Sequence, residues 1–141
     1  MKLIIWDFRN TLFNTDTKEF NEGAIDALNR FKDSVQILVT ASNSAEERIK
    51  EIQKLEIDKF FEEVIISNKT REIFEHLMKG HDASPEDTLI IGDQYSSEIA
   101  IGNDLGVKTI WFANGNPDEQ KLGIKYWKKI RSLKELLDLE F

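Results

Sequence analysis

The sequence predicts an α/β domain, a three-layer sandwich in which helices cover a mainly parallel sheet of five strands or slightly more. Three observations carry this. Short apolar runs recur along the chain, stretches with a single apolar helical face separate them, and the first run is apolar at every position instead of alternating. A strand covered on both faces has that continuous pattern. Regular alternation of strand and helix means βαβ units and therefore parallel pairing.

The first strand is read over Lys2 to Asp7, with Leu3, Ile4, Ile5 and Trp6 as its apolar run. A helix follows from about Glu22 to Lys32, where Ala24, Ile25, Leu28 and Phe31 fall at helical spacing. Val35 to Thr40 is the second strand. Ser44-Ala45-Glu46-Glu47 has the form of a capping box and opens a helix through Ile49, Ile52 and Leu55. A third strand spans Glu63 to Ser67, and a third helix about Thr70 to Lys79, with Ile73, Phe74 and Leu77 as its buried stripe. The fourth strand is Thr88 to Gly92. Its helix starts near Ser96 and stops at Gly106, a natural C′ residue, and Ala100 and Gly102 are small enough to let it lie close on the sheet. Lys108 to Phe112 is the fifth strand. Beyond it Asn114-Gly115-Asn116-Pro117 reads as a turn, Asp118 to Lys129 has no clear assignment, and Ser132-Leu133-Lys134-Glu135 opens a last short helix as a second capping box.

The 141 residues suit one domain over 1–141. A net charge of -7 argues against a generic nucleic-acid binder. With no cysteine there is neither a disulfide framework nor a thiolate ligand or nucleophile. No apolar run reaches membrane-spanning length and no leader pattern opens the chain, so the expectation is a cytoplasmic protein without a membrane partner.

Four strand ends carry polar groups. Asp7 leaves the first strand at its carboxyl end, where open α/β sheets place their ligands. A carboxylate emerging from so apolar a run needs a cation or N–H donors beside it. Thr40 sets a hydroxyl just before a helix start, a combination suited to a phosphate oxygen. Lys69 stands before the third helix, and Asp93 follows Gly92 as a hard oxygen ligand with Glu98 one helical turn beyond. Taken singly, each has an ordinary reading: a turn or cap aspartate, a strand-end cap, a solvated lysine, a Gly-Asp turn.

In this order they resemble the motifs of the haloacid dehalogenase superfamily, over about Leu3 to Ala113. Leu3 to Thr11 resembles hhhhDxDxT, with Asp7 at the first Asp, Arg9 at the second and Thr11 at the Thr; Ile37 to Thr40 resembles hhhT/S; Lys69 resembles the third-motif lysine; Gly92-Asp93 to Glu98 resembles GDx4D with Glu98 in place of the last Asp. The resemblance implies a Rossmann-like fold in which Asp7 and Asp93 meet at the topological switch point. It also implies an Mg2+-dependent phosphohydrolase that forms an aspartyl-phosphate on Asp7. The ion would be held by the carboxylates of Asp7 and Asp93 and the backbone carbonyl of Arg9, with Glu98 holding one of its waters; Thr11, Thr40, Ala41 and Lys69 would hold the phosphate.

Arg9 departs from the pattern. In family phosphatases the second Asp protonates the leaving oxygen and later activates water, and arginine does neither because it stays protonated. The expected loss is roughly 10² to 10⁴ in rate for poor leaving groups. Arg9 is then an extra phosphate clamp in an enzyme restricted to acyl or aryl phosphates, or the mark of a non-catalytic domain that binds a phosphorylated ligand or protein. Dehalogenase-type chemistry, metal-free in the family, is opposed by Asp93 and Glu98, and an ion pair from Arg9 to Asp7 or Glu98 is the structural alternative. The reading adopted is a weak or leaving-group-restricted phosphohydrolase.

Thr11 to Thr40 has room for one helix and Thr40 to Lys69 for a helix and a strand, so neither family insertion point carries a cap domain. The resemblance then implies an open site, a phosphorylated small molecule or macromolecule as substrate, and a homo-oligomer if a neighbouring subunit acts as lid. His76 and His81 read as surface residues, Trp111, Phe112, Tyr126 and Trp127 as core more than exposed patch, and Lys128-Lys129-Ile130-Arg131 as too short for nucleic acid.

Overall fold

Leu3, Ile4, Ile5 and Trp6 are each at most 1% exposed, and a run buried on both faces belongs in the interior of a parallel sheet. In the computed structural model, which describes residues 1–113 and 123–141, they form β1 (Leu3–Trp6). A small antiparallel hairpin follows, β2 (Phe13–Asn14) and β3 (Glu19–Phe20), then α1 (Ala24–Arg30) and β4 (Val35–Thr40). Next come α2 (Ala45–Lys54), β5 (Glu63–Ile66), α3 (Arg71–Gly80) and β6 (Thr88–Gly92). A five-residue π turn, Tyr95–Ile99, runs into α4 (Ala100–Asp104), followed by β7 (Lys108–Phe112), β8 (Lys128–Ile130) and a 3-10 turn at Leu133–Leu137.

Among the described residues the main sheet has six strands in the order β5-β4-β1-β6-β7-β8, all paired in parallel. The chain winds outward from β1 in one direction through β4 and β5, then returns to β6 on the other side of β1. The switch point lies between β1 and β6, where the carboxyl ends of two neighbouring strands diverge.

Because successive strand residues face opposite ways, β1 feeds two cores. Ile4 and Trp6 pack with Leu38, Leu89, Ile91 and the α1 residues Ala27 and Leu28. Leu3 and Ile5 pack on the other face with Ile37, Val39 and the α3 residues Phe74 and Leu77. Each buried Leu, Ile, Val or Phe among them contributes about 1.5–3 kcal/mol relative to exposure. Gly102 brings α4 against the sheet, since a Cβ there would lie 2.4 Å from Thr109 Cγ2. Gly106 takes φ +72 beyond the helix end, the left-handed C′ conformation expected of it.

Several sequence expectations change. The sixth strand, β8, lies in the lysine cluster and the unassigned stretch: Lys129 reaches over Trp111 at 4.9 Å and Lys128 over Trp127 at 5.5 Å, so aromatic faces cover the charged strand. The helix expected from Ser96 opens as the π turn. On α1, Ile25 is exposed and Ala27 takes the inward place. On α2, Ile49 is exposed while Arg48 is buried. The turn expected at 114–117, and residues 118–122 of the unassigned stretch, lie outside the described residues.

Between Thr11 and Thr40 stand only the β2–β3 hairpin and α1, and between Thr40 and Lys69 only α2, a 3-10 turn at Asp58–Phe60 and β5. No cap domain is inserted at either point. Among the described residues no helix is long and apolar enough to cross a membrane.

Candidate active site

Asp7 is the first residue past β1, tied to the neighbouring strand by its N–H, which donates to Ile91 O at 3.0 Å. The next residues turn at once. Phe8 O accepts from the N–H groups of Leu12 and Phe13 at 3.0 Å each, and Asn10 adopts φ 60, a left-handed conformation asparagine tolerates better than most residues. This curl returns Thr11 to the strand end, fully buried, where its hydroxyl donates to Asp7 Oδ2 at 2.9 Å.

Lys69 comes from the loop between β5 and α3. Ser67 N–H donates to Thr40 O at 3.0 Å and Thr70 Oγ1 caps α3 by accepting from Ile73 N–H at 3.3 Å, so the two residues between them, Asn68 and Lys69, are held from both sides. The Lys69 side chain is 7% exposed, its ammonium donates to Asp7 Oδ1, and Nζ lies 3.3 Å from Glu98 Oε2. This is not the solvated lysine of the ordinary reading.

Asp93 and Glu98 follow β6. Asp93 O accepts from the indole N–H of Trp111 at 3.1 Å. The π turn folds Glu98 back over the strand end, 1% exposed, with Oε1 accepting from Gln94 N–H at 3.2 Å. Gly92 makes this fold-back feasible: a Cβ on it would lie 2.2 Å from Glu98 Oε1. Its role is close approach rather than an unusual turn.

Carboxylate oxygens of Asp7, Asp93 and Glu98 lie within 4.8 Å of one another. Burial raises the Asp93 pKa to about 9, helped by its hydrogen bond to Asp7 and by the charges of Asp7 and Glu98. Burial likewise lifts Glu98 to about 7, with the Asp7 charge adding to it. Burial opposes the charge on Lys69, but Asp7 and Glu98 outweigh it and hold the pKa above its ordinary value. Glu98 Oε2 is buried without a hydrogen bond, its polar neighbour being the Lys69 ammonium. Crowded, buried hard oxygens, one of them without a hydrogen bond among the described residues, suit a small divalent cation, whose charge would offset the burial and the repulsion that raise the Asp93 and Glu98 pKa values.

The β4 end is arranged differently from the sequence expectation. Arg48, which sequence reasoning missed, is 3% exposed on α2 and donates to Thr40 Oγ1 and, at 2.8 Å, to Ala41 O. Its guanidinium lies 5.7 Å from the Phe8 ring centroid and its Nε donates to Glu51 Oε1 at 3.2 Å. Burial lowers the pKa of Arg48, as does the nearby charge of Arg9. Arg9 itself, about half exposed, pairs with Glu51 at 3.3 Å. The pairing of Arg9 with Asp7 or Glu98 therefore gives way to one with an acid on α2. The structure thus brings Asp7, Thr11, Lys69, Asp93 and Glu98 together, and joins Thr40 and Ala41 to Arg9 through Arg48 and Glu51. His81 lies apart from them, 3.2 Å from Glu63.

Residues 4–112 match the family of haloacid dehalogenase-like hydrolases. The chain belongs to this family. A curated relative, a glyceraldehyde 3-phosphate phosphatase of Pyrococcus furiosus, is 33% identical over 96 residues, a match that takes in 62% of this chain and 40% of the relative. The match thus spans well under half the length of that relative. Among solved structures, a HAD phosphatase from Thermococcus onnurineus superposes with a TM-score of 0.80 at 13% identity, covering 96% of each chain. The putative HAD-hydrolase YfnB of Bacillus subtilis, whose structure is bound to magnesium, superposes with a TM-score of 0.71 at 23% identity, over 86% of this chain and 57% of that one.

Proposed function

We propose that residues 1–141 form one magnesium-dependent phosphohydrolase domain, acting through an aspartyl-phosphate on Asp7, with activity restricted to good leaving groups because Arg9 stands where an acid is required. The observation that carries this reading is the double grip on Asp7. Thr11 and Lys69 each donate to a different oxygen of a carboxylate that also belongs to the acidic cluster with Asp93 and Glu98.

In the first step an Asp7 oxygen bonds to phosphorus and the bond from phosphorus to the leaving oxygen breaks. Thr11 keeps the carboxylate oriented, and the Lys69 ammonium offsets negative charge as the phosphoryl group arrives. In the second step a water oxygen bonds to phosphorus, the bond to Asp7 breaks, and phosphate leaves with one proton released. Mg2+, held by Asp7, Asp93 and the Arg9 carbonyl with Glu98 behind them, would neutralise charge between the carboxylates and the phosphoryl oxygens. Arg48 fixes Thr40 and the backbone of Ala41 at the side of the pocket where phosphate oxygens would rest. Arg9, turned toward Glu51, supplies no proton to the leaving oxygen, which must depart as an anion.

The substrate is a phosphorylated small molecule. Glyceraldehyde 3-phosphate, named in the P. furiosus relative, belongs in the panel tested, although its alkoxide is a poor leaving group. The Arg9–Glu51 pair also favours a second reading, a domain that binds phosphorylated ligands without turnover.

Aryl phosphate hydrolysis in Mg2+ separates the two. Wild-type turnover abolished by Asp7→Asn supports the enzyme. Intact phosphate binding without turnover, with activity only in Arg9→Asp, would establish the binder instead.

A further inference from the structure

Beside the Asp7 site the surface opens into a second cavity. The first, of about 410 Å³, lies at the β4 end and is lined by Arg9, Ala41, Arg48 and Asn68 among others. The second, of about 600 Å³, runs between the β2–β3 hairpin and α2. Arg9 lines both and so stands at their junction.

The second cavity is cationic in a chain whose net charge is -7. Arg9, Lys18, Lys50 and Lys54 line it, against Glu47 and Glu51. Glu51 is engaged by Arg9 and Arg48. Among the described residues Lys50 pairs only with Glu46, an exposed contact at 3.5 Å of little energetic worth. Lys18 and Lys54 form no ion pair among the described residues. Lys18 sits in a braced turn, φ 58, with its N–H donating to Asn14 O at 2.8 Å and Asn14 Oδ1 accepting from Asp16 and Thr17 N–H. Lys50 and Lys54, four residues apart on α2, face it from the same side of their helix.

We propose that this groove receives a second anionic group of the substrate, so that the ligands are phosphorylated small molecules carrying a carboxylate or a further phosphoryl group a few bonds from the first. The inference rests on the proposed function for the placement of the first phosphoryl group at Asp7. Arg9 is then a specificity residue. Having lost the acid's role, it reaches from the mouth of the phosphate site into the groove, and its planar fork matches carboxylate and phosphoryl oxygens alike. The volume suits a small molecule, and a local positive field on an acidic protein draws anions to this face.

Calorimetry in Mg2+ with three matched, non-hydrolysable ligands tests it: propylphosphonate, 3-phosphonopropanoate and propane-1,3-bisphosphonate. The wild type should bind at least one of the doubly anionic ligands about tenfold more tightly than propylphosphonate, the scale of a few exposed ion pairs, and the arm that gains names the second group. In Lys18→Gln/Lys54→Gln the ratio should fall toward one, while Lys32→Gln, outside both cavities, should preserve it. Equal affinity for all three ligands, or a preference that survives the double substitution, overturns the groove. If aryl phosphate turnover persists in that case, the hydrolase reading stands without it. Absence of both binding and turnover removes both.

Discussion

Arg9 Nη2 stands 3.3 Å from each carboxylate oxygen of Glu51, and Glu51 also accepts from Arg48 Nε at 3.2 Å. The residue that replaces the family's acid is thereby drawn to α2, and Arg48 would keep Glu51 partnered if Arg9 were changed. Arg9→Asp should therefore fold, and should raise the rate on alkyl phosphates by roughly 10² to 10⁴, the usual worth of general acid-base catalysis. The gain on an aryl phosphate should be smaller, because that leaving group departs unaided. Phosphate release from both substrates checks this, and an equal gain on the two would contradict the role given to position 9.

Gly92→Ala should displace Glu98, because the new methyl would lie 2.2 Å from Oε1 and 2.5 Å from Cγ of that buried side chain. Overpacking of this kind costs about 1–3 kcal/mol. Loss of a group that supports a metal site weakens binding by about 10- to 100-fold. Thermal unfolding and Mg2+ titration of the variant measure the two effects, and unchanged Mg2+ affinity would detach Glu98 from the ion.

The acidic cluster makes metal-free stability depend on pH. Asp93 titrates near 9 in the folded protein against an ordinary 3.8, and Glu98 near 7 against 4.5. Across those intervals the folded state retains protons that the unfolded chain has released, so stability falls as pH rises from about 4 to about 9. The raised Lys69 pKa acts later: its contribution is complete below 10.5 and disappears as pH climbs through the folded value. In chelator the midpoint of thermal unfolding should thus decline with pH over the carboxylate interval, and Asp93→Asn should remove most of the slope. Added Mg2+ should flatten it. A midpoint of the chelated protein that is independent of pH, with the same profile in Asp93→Asn, would refute the coupling.

Arg48→Met should lower stability by about 3 kcal/mol, because charge-assisted bonds to Thr40 Oγ1 and Ala41 O are lost together. Methionine fills much of the same space, which isolates the polar loss from a cavity. Lysine should not rescue, since a single ammonium does not reproduce contacts that fork to Thr40, Ala41 and Glu51. Urea unfolding midpoints compare the three proteins, and full recovery by lysine would show that charge alone suffices.

Continuous apolar runs ending in Asp7, Thr40 and Asp93 made the central strands legible, because strands buried on both faces leave few polar positions. The hairpin escaped because its two-residue strands are too short for any periodicity. β8 escaped because Lys128 and Lys129 read as a charged cluster, and their aromatic cover comes from Trp111 and from the neighbouring Trp127. The π turn has no signature in a pattern of 3.6 residues per turn. Arg48 had a signal that was available: it lies four residues before buried Ile52, on the inward stripe of α2, and a charge at such a position needs partners. Asp93 and Glu98 were visible as oxygen ligands, while the depth of Lys69 between them and Asp7 depends on contacts across three strand ends.

The indole N–H of Trp111 donates to the backbone oxygen of Asp93 at 3.1 Å, and its ring lies against that of Tyr95 at the start of the π turn, tilted by 40° with centroids 4.7 Å apart. A natural fluorophore is therefore wired to the backbone of a candidate ligand. Occupancy of the acidic cluster should alter the emission of this tryptophan without any added label, which gives the protein its own optical gauge for following the ion in real time, even in variants too slow to assay by turnover.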